Sequence, residues 1–167
     1  IATPVIADGR VFIATGQDPE HGQGPGALYC IDPAKATKHG GDVSATIVVD
    51  SKGNTVAPRR EQNLDKDAGE VEKPNPKSAV VWKYTGFDFN ADGELKFEET
   101  MHRATGNAAV KDGLVFICDF SGLMHCVDAA TGKPHWTYDL LAPAWGSPLV
   151  VRDKVYLADE DGVIHIF

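Results

Sequence analysis

The chain is 167 residues long, 43% hydrophobic and 24% charged, the composition of an ordinary soluble globular protein. Its formal net charge of −8 repels a phosphate backbone and excludes nucleic acid as an expected partner. No apolar run approaches the roughly 18 residues of a membrane span, and the opening IATPVIADG reads as a strand, not a secretory leader.

The chain reads as short strands punctuated by Gly-bearing turns. A first strand near Thr3–Ile6 and a second at Arg10–Thr15 lead into an enlarged loop, Gly16–Gly26, and a third strand, Ala27–Asp32. A long insertion, Pro33–Ser78, follows. Within it, ATIVVDSKGNTV predicts an extra hairpin turning at Lys52-Gly53-Asn54. Arg59–Lys77, polar, charged and Pro-punctuated, predicts a mobile surface excursion. The fourth strand is AVVWKYTG, and a second insertion, Phe87–Met101, follows it.

The stretch Asn107–Tyr138 repeats the pattern without decoration. Strands AAV, LVFIC, LMHCVD and KPHWTY are separated by Asp112-Gly113, Ser121-Gly122 and Thr131-Gly132, which place Gly where tight turns need positive φ. The link DLLAPAWG then leads to SPLVV, KVYLA and VIHIF, a third unit without its fourth strand. The second and third units recur at about 41 residues, within the propeller range. The cores VFIA, LVFIC and KVYLA are nearly continuous apolar runs, as suits sheets packed on both faces.

The expected fold is therefore all-β: a β-propeller of four-stranded antiparallel blades. Blade 1 spans about 1–86 with insertion 33–78, the second insertion 87–101, blade 2 about 105–138 and blade 3 about 146–167. Some eleven strands make under three blades, whereas a closed ring takes roughly four to eight, so the remaining blades are expected from the same polypeptide or another chain. Cys30 and Cys126 fall at equivalent repeat positions. A turn over Asp119–Gly122 would set Cys118 opposite Leu123, and thus on the other face from Cys126. Buried free thiols are expected.

Asp128-Ala129-Ala130-Thr131-Gly132-Lys133 followed by Trp136 resembles the DxxTGKxxW signature of the PQQ-like (pyrrolo-quinoline quinone-type) propeller repeat family. The recurring DG-x-V-[FY]-[IL] and L-[YH]-x-[IV]-D segments resemble it too. The resemblance covers both ends of the chain but not Pro33–Lys77. That family includes quinoprotein alcohol dehydrogenases, an outer-membrane assembly lipoprotein and sensor domains of membrane kinases, so the resemblance specifies a fold far more than an activity. The wording EHGQG, FSGLMHCVDAATGK and AWGSPLVV is most similar to planctomycete-type repeat proteins. Dehydrogenase members carry an adjacent Cys pair against the PQQ cofactor and a catalytic Asp beside calcium. Nothing here matches the Cys pair, and no catalytic residue is assigned.

The most specific chemical signal is Asp88–Glu99, DFNADGELKFEE, which fits the twelve-position calcium loop of an EF-hand. Asp88, Asn90 and Asp92 stand at positions one, three and five, and Gly93 permits the sharp turn at six. Glu94 offers its backbone carbonyl at seven, Leu95 is the apolar eighth residue, and Glu99 can give two oxygens at twelve. A hard cation wants such a wrapped, oxygen-only site. Lys96 at position nine departs from the pattern. A strand leads in where a helix is usual, and only Lys96–Arg103 could form a short exiting helix.

In a four-strand meander, the loop between strands two and three and the link to the next blade lie at one end. Gly16–Gly26, the calcium-like loop, the turns at Asp119 and Asp159–Asp161, and the link with Trp145 are thus expected on one acidic face, and the 33–78 insertion on the opposite one. Candidate ligand contacts on the acidic face are His21, His102, Arg103 and Trp145. Each has a plainer reading: His21 capping its loop, His102 and Arg103 neutralising carboxylates, Trp145 as core. His125 and His165 occupy the repeat position of Tyr29 and read as structural. The functional expectation is a non-catalytic binding or scaffolding propeller with a structural calcium loop, periplasmic or extracellular, taking a protein or small-molecule ligand. The alternatives are a fragment of a PQQ-dependent alcohol dehydrogenase and the extracellular sensor of a membrane kinase.

Overall fold

The computed structural model describes residues 2–16, 25–57 and 64–167. His21 lies outside them. The chain divides into two compact units, Ile1–Ile31 with Val81–Phe167, and Asp32–Val80. In chain order the strands of the first repeat and its insertion are β1 (Val5–Ala7), β2 (Arg10–Gly16), β3 (Gly26–Ile31), β4 (Thr46–Val49), β5 (Val71–Pro74) and β6 (Val80–Tyr84). Then come β7 (Ala109–Lys111), β8 (Leu114–Cys118), β9 (Leu123–Asp128) and β10 (Pro134–Asp139). The last three are β11 (Leu149–Val151), β12 (Lys154–Ala158) and β13 (Ile164–Ile166). Among the described residues one α-helix, α1, spans Pro33–His39.

The larger unit holds three antiparallel sheets, ordered β1-β2-β3-β6, β10-β9-β8-β7 and β11-β12-β13. The predicted two-residue turns close β1–β2 and β7–β8: Ala7 pairs with Arg10 and Lys111 with Leu114. Asp8-Gly9 and Asp112-Gly113 all have positive φ, the geometry that matches strand twist. Side chains alternate between two cores. Phe12, Leu28, Tyr84, Val115, Ile117 and Val127 fill one, between the first and second sheets. Phe116, Cys118, Met124, Cys126, Val155 and Leu157 fill the other, between the second and third. The middle sheet is apolar on both faces because both are covered.

The contacts between successive sheets recur. The Asn107 side chain accepts from the Thr3 backbone N–H at 2.6 Å, and Ser147 Oγ accepts from that of Asn107 at 2.8 Å. Trp82 donates its indole N–H to Ala129 O at 3.0 Å. Gly132, at φ +73°, lies under the Trp82 ring so closely that a Cβ would fall 2.6 Å from it. Trp136 stacks on Phe167 at 5.3 Å.

Several expectations need correction. The β8–β9 turn holds one more residue than the sequence suggested: Asp119 N–H donates to Leu123 O, so Cys118 pairs with Met124, not Leu123. Cys118 and Cys126 therefore share one core instead of opposite faces. Cys30, Cys118 and Cys126 are buried, and none forms a disulfide. In the smaller unit, the Lys52-Gly53-Asn54 turn forms, with Asp50 accepting from the N–H groups of Lys52 and Asn54. Its returning arm reaches only a bridge between Val49 and Thr55, while the main partner of β4 is β5. The excursion expected to be mobile thus contains a strand, prepared by the Asp65–Glu70 turn, in which Asp65 N–H donates to Glu70 Oε2 at 2.9 Å. Its polar composition hid a four-residue antiparallel register with β4, from Thr46 opposite Pro74 to Val49 opposite Val71. Helix α1 was also unforeseen: Asp32 caps it through Ala34 N–H, with Pro33 in its first turn. No helix among the described residues is long and apolar enough to cross a membrane.

Candidate functional site

Meander topology brings the adjoining ends of β2 and β3, the β8–β9 loop and the links to one end of the larger unit, and contacts join them there. Gly26 N–H donates to Met101 O at 2.8 Å, and a Cβ on Gly26 would overlap His102 O. Phe120 N–H donates to Arg103 O, and Glu160 N–H to Pro143 O, the same bond one repeat later. Each link is stitched to the β-turn beside it.

At the centre lies a buried acid. Asp119 has no exposed surface, nor has His125, and His102 is 5% exposed. Asp119 Oδ2 accepts from the His102 backbone N–H at 2.8 Å and lies 3.1 Å from its Nδ1 and 3.4 Å from His125 Nε2. Its Oδ1 accepts from Leu123 N–H at 3.0 Å. His125 Nδ1 meets Tyr84 Oη at 3.1 Å and Thr137 Oγ1 at 3.2 Å. Burial works to raise the Asp119 carboxyl. Hydrogen bonds from His102 and His125, with the attraction of His125, outweigh it and hold the group down to about 2. Burial raises the Tyr84 phenol. The pair recurs in the third sheet, where His165 Nε2 lies 2.8 Å from Asp159 Oδ2 and lowers that carboxyl. The signal in the sequence is Asp-x-x-Gly-x-x-His, at 119–125 and 159–165. The structural role expected of these histidines comes with an acid partner that the repeat position alone does not reveal.

The calcium-like loop forms a tight wrap. Asp88 accepts from Asp92 N–H at 3.3 Å and Gly93 N–H at 2.8 Å, and Asn90 Oδ1 accepts from Asp92 N–H at 2.9 Å. Ala91 and Gly93 carry positive φ, 58° and 89°. Glu99 reaches back to accept from Phe89 N–H at 3.3 Å and Lys96 N–H at 3.2 Å. The expected exiting helix shrinks to one 3-10 turn, Phe97–Glu99, because Thr100 is already extended and Gly86 bridges to it. The donors suit a hard divalent cation: oxygen only, acidic and exposed. The exception is Lys96, whose Nζ sits 2.6 Å from Asp92 Oδ2 and is the main cause of that carboxyl's lowered pKa. Among the described residues no three His, Cys, Asp or Glu side chains converge at metal-ligand spacing. A cation would have to draw Asp88, Asp92 and Glu99 inward. The three cysteines, on separate strands, do not supply the adjacent pair that the dehydrogenase resemblance implies.

Three of the four candidate ligand contacts come together. His102 is spent on Asp119 and packs at a tilt against Phe97, ring centroids 4.2 Å apart. Arg103 lays its guanidinium over Phe120 at 4.3 Å. Phe120 meets Trp145 edge-on at 4.5 Å. Trp145 is 60% exposed, not core, and donates its indole N–H to Glu160 Oε2 at 3.1 Å. Phe120 and Glu160 join them without a motif of their own in the sequence.

A family model described as outer membrane protein assembly factor BamB matches residues 67–167, more than half of the chain. No curated protein shows significant similarity. Among solved structures, BamB from Moraxella catarrhalis is similar at 14% identity and TM-score 0.52, over 100% of this chain and 34% of that one. Quinohemoprotein alcohol dehydrogenase ADHIIG from Pseudomonas putida HK5 is similar at 18% identity and TM-score 0.50, over 99% of this chain and 18% of that one. A europium-containing methanol dehydrogenase gives 16% identity and TM-score 0.49, over 98% and 22%. The chain thus spans about a third or less of these proteins, and at such identities the likeness shows the fold alone.

Proposed function

The chain belongs to the PQQ-like repeat family described as outer membrane protein assembly factor BamB, and from that premise we propose that it is a non-catalytic binding or scaffolding propeller segment working outside the cytoplasm. One observation carries the reading. The titratable groups at the centre of the loop face, Asp119, His102 and His125, are buried and spent on holding loops together, while the groups left open are aromatic and acidic. Such a face suits recognition better than proton transfer or nucleophilic attack. The extracytoplasmic setting rests on the family's description, and protease accessibility in intact cells tests it. The planctomycete-type affinity is proposed on EHGQG, FSGLMHCVDAATGK and AWGSPLVV alone.

The Asp88–Glu99 loop is proposed as a structural calcium site that braces this face through Phe97 and His102. Calorimetric titration with calcium tests it: heat for the wild type, and none for Asp88→Ala or Glu99→Ala. Equal heats in all three remove the site. The binding reading itself is tested by adding PQQ and calcium to the purified protein. A bound-quinone absorbance spectrum with dye-linked alcohol oxidation would replace it with the dehydrogenase reading.

A further inference from the structure

We propose that the loop face docks a basic, apolar-bearing polypeptide segment of another protein, centred on Trp145. The proposal rests on the binding reading above and names the chemistry of its partner.

Exposed apolar residues scattered singly need no explanation, but contiguous ones do. Here Phe97 packs on His102, and the next residue, Arg103, lies on Phe120, which in turn meets Trp145. Phe97 and Trp145, at the two ends of this train, are half or more exposed. Leu141 on the same link is 87% exposed and has φ +64°, a conformation costly for a large side chain. These residues differ from the exposed Leu149, Val151, Ile164 and Ile166, which lie on a sheet face of the kind the two cores already bury.

The fold does not demand these aromatics. By repeat position Trp145 corresponds to Thr105, Phe120 to Glu160, and the exposed Leu141 to the fully buried Met101. The aromatic side chains are also held in place before any partner arrives. The Phe120 backbone is bonded to Arg103 O, its ring lies between a guanidinium and an indole, and the Trp145 indole N–H is fixed by Glu160. Rigid Trp, Phe and Arg anchors at low entropy cost are what binding hot spots are made of.

Charge selects the partner. Glu98 follows Phe97, Asp139 accepts from the Leu141 N–H, Glu160 holds the Trp145 indole with Asp161 next to it, and all four carboxylates are exposed. Lys96 is bound to Asp92, and Arg103 is laid on Phe120. In a chain of net charge −8, this rim attracts Lys- and Arg-bearing segments and repels a second copy of itself.

The test is a peptide array in which Lys/Arg content and aromatic/aliphatic content vary independently, probed with the full chain. Peptides retained on the array are then titrated calorimetrically against wild type, Trp145→Ala and Glu160→Lys. Circular dichroism first establishes that the variants fold. Retention is expected only for peptides both basic and apolar, weakened by salt and by about tenfold or more in either variant. No retention, retention indifferent to charge, or affinity unchanged in Trp145→Ala overturns the proposal. Self-association through Trp145 in sedimentation would overturn it too. These failures leave the binding reading standing, whereas a bound-quinone spectrum overturns that reading whatever the array shows.

Discussion

Asp119 offers the sharpest test of how the loop face is held. Asp119→Asn keeps the side chain's shape and removes its charge. The carboxyl sits near 3.8 in an unfolded chain and is held down to about 2 in the fold. A depressed carboxylate stabilises the fold in full above its unfolded value, and this contribution fades as pH falls through the folded value. The difference between those two values corresponds to about 2 kcal/mol of stability, fully present at neutral pH. Leaving His102 and His125 buried without their anion raises the expected total loss to about 3 kcal/mol. Urea unfolding of wild type and variant, stepped from neutral pH into acid, measures it. Other carboxylates titrate in both proteins, so the difference between the two isolates Asp119. The gap should be full at neutral pH and narrow between about pH 4 and pH 2. Equal midpoints at neutral pH, or a gap that stays constant through acid, would refute the reasoning.

Gly132→Ala combines a positive φ with a Cβ 2.6 Å from the Trp82 ring. It should cost about 2 kcal/mol by chemical denaturation, with a shift in tryptophan emission as Trp82 is pushed out. Burial pushes the Cys126 thiol up to about 11, and burial with the nearby Asp119 charge raises Cys118 as well. A thiol reagent at neutral pH should therefore label neither until urea unfolds the chain, and fast native labelling would contradict the packing. In the calcium titration, Lys96→Gln should bind about fivefold tighter than wild type, because it frees Asp92 of an exposed competing ammonium. Equal affinities would dissociate Lys96 from the site.

Strand order, the two-residue turns and the two-faced burial of β8 and β9 were legible because each has a local signature: Asp-Gly pairs, continuous apolar runs and the repeat itself. What misled was geometry decided by one hydrogen bond. The Asp119–Leu123 backbone pairing adds a residue to the β8–β9 turn and puts Cys118 and Cys126 in one core. The strand at Val71–Pro74 was masked by composition, since an edge of Val, Glu, Lys and Pro resembles a loop until its partner is known. Helix α1 carries its signal openly in Asp32-Pro33, but the repeat predicts only a tight turn there.

The acid–histidine pair explains why the site lay partly beyond sequence reasoning. Asp119 and Asp159 each bind the histidine six residues on, but the corresponding pair in the first sheet is Thr15 and Tyr29. The propeller repeat therefore tolerates other residues at these positions. Asp119 differs from Asp159 in meeting a second histidine, the His102 ring, and His102 belongs to the link that follows the 87–101 insertion. The buried acid thus ties an inserted loop into the core of the second sheet. Phe97 on that loop and Phe120 beside the acid then start and continue the aromatic train that ends at Trp145. The repeat supplies the frame. The residues that depart from it, Asp119 with His102 and Phe120 with Trp145, place the loop and shape the face that a partner would meet.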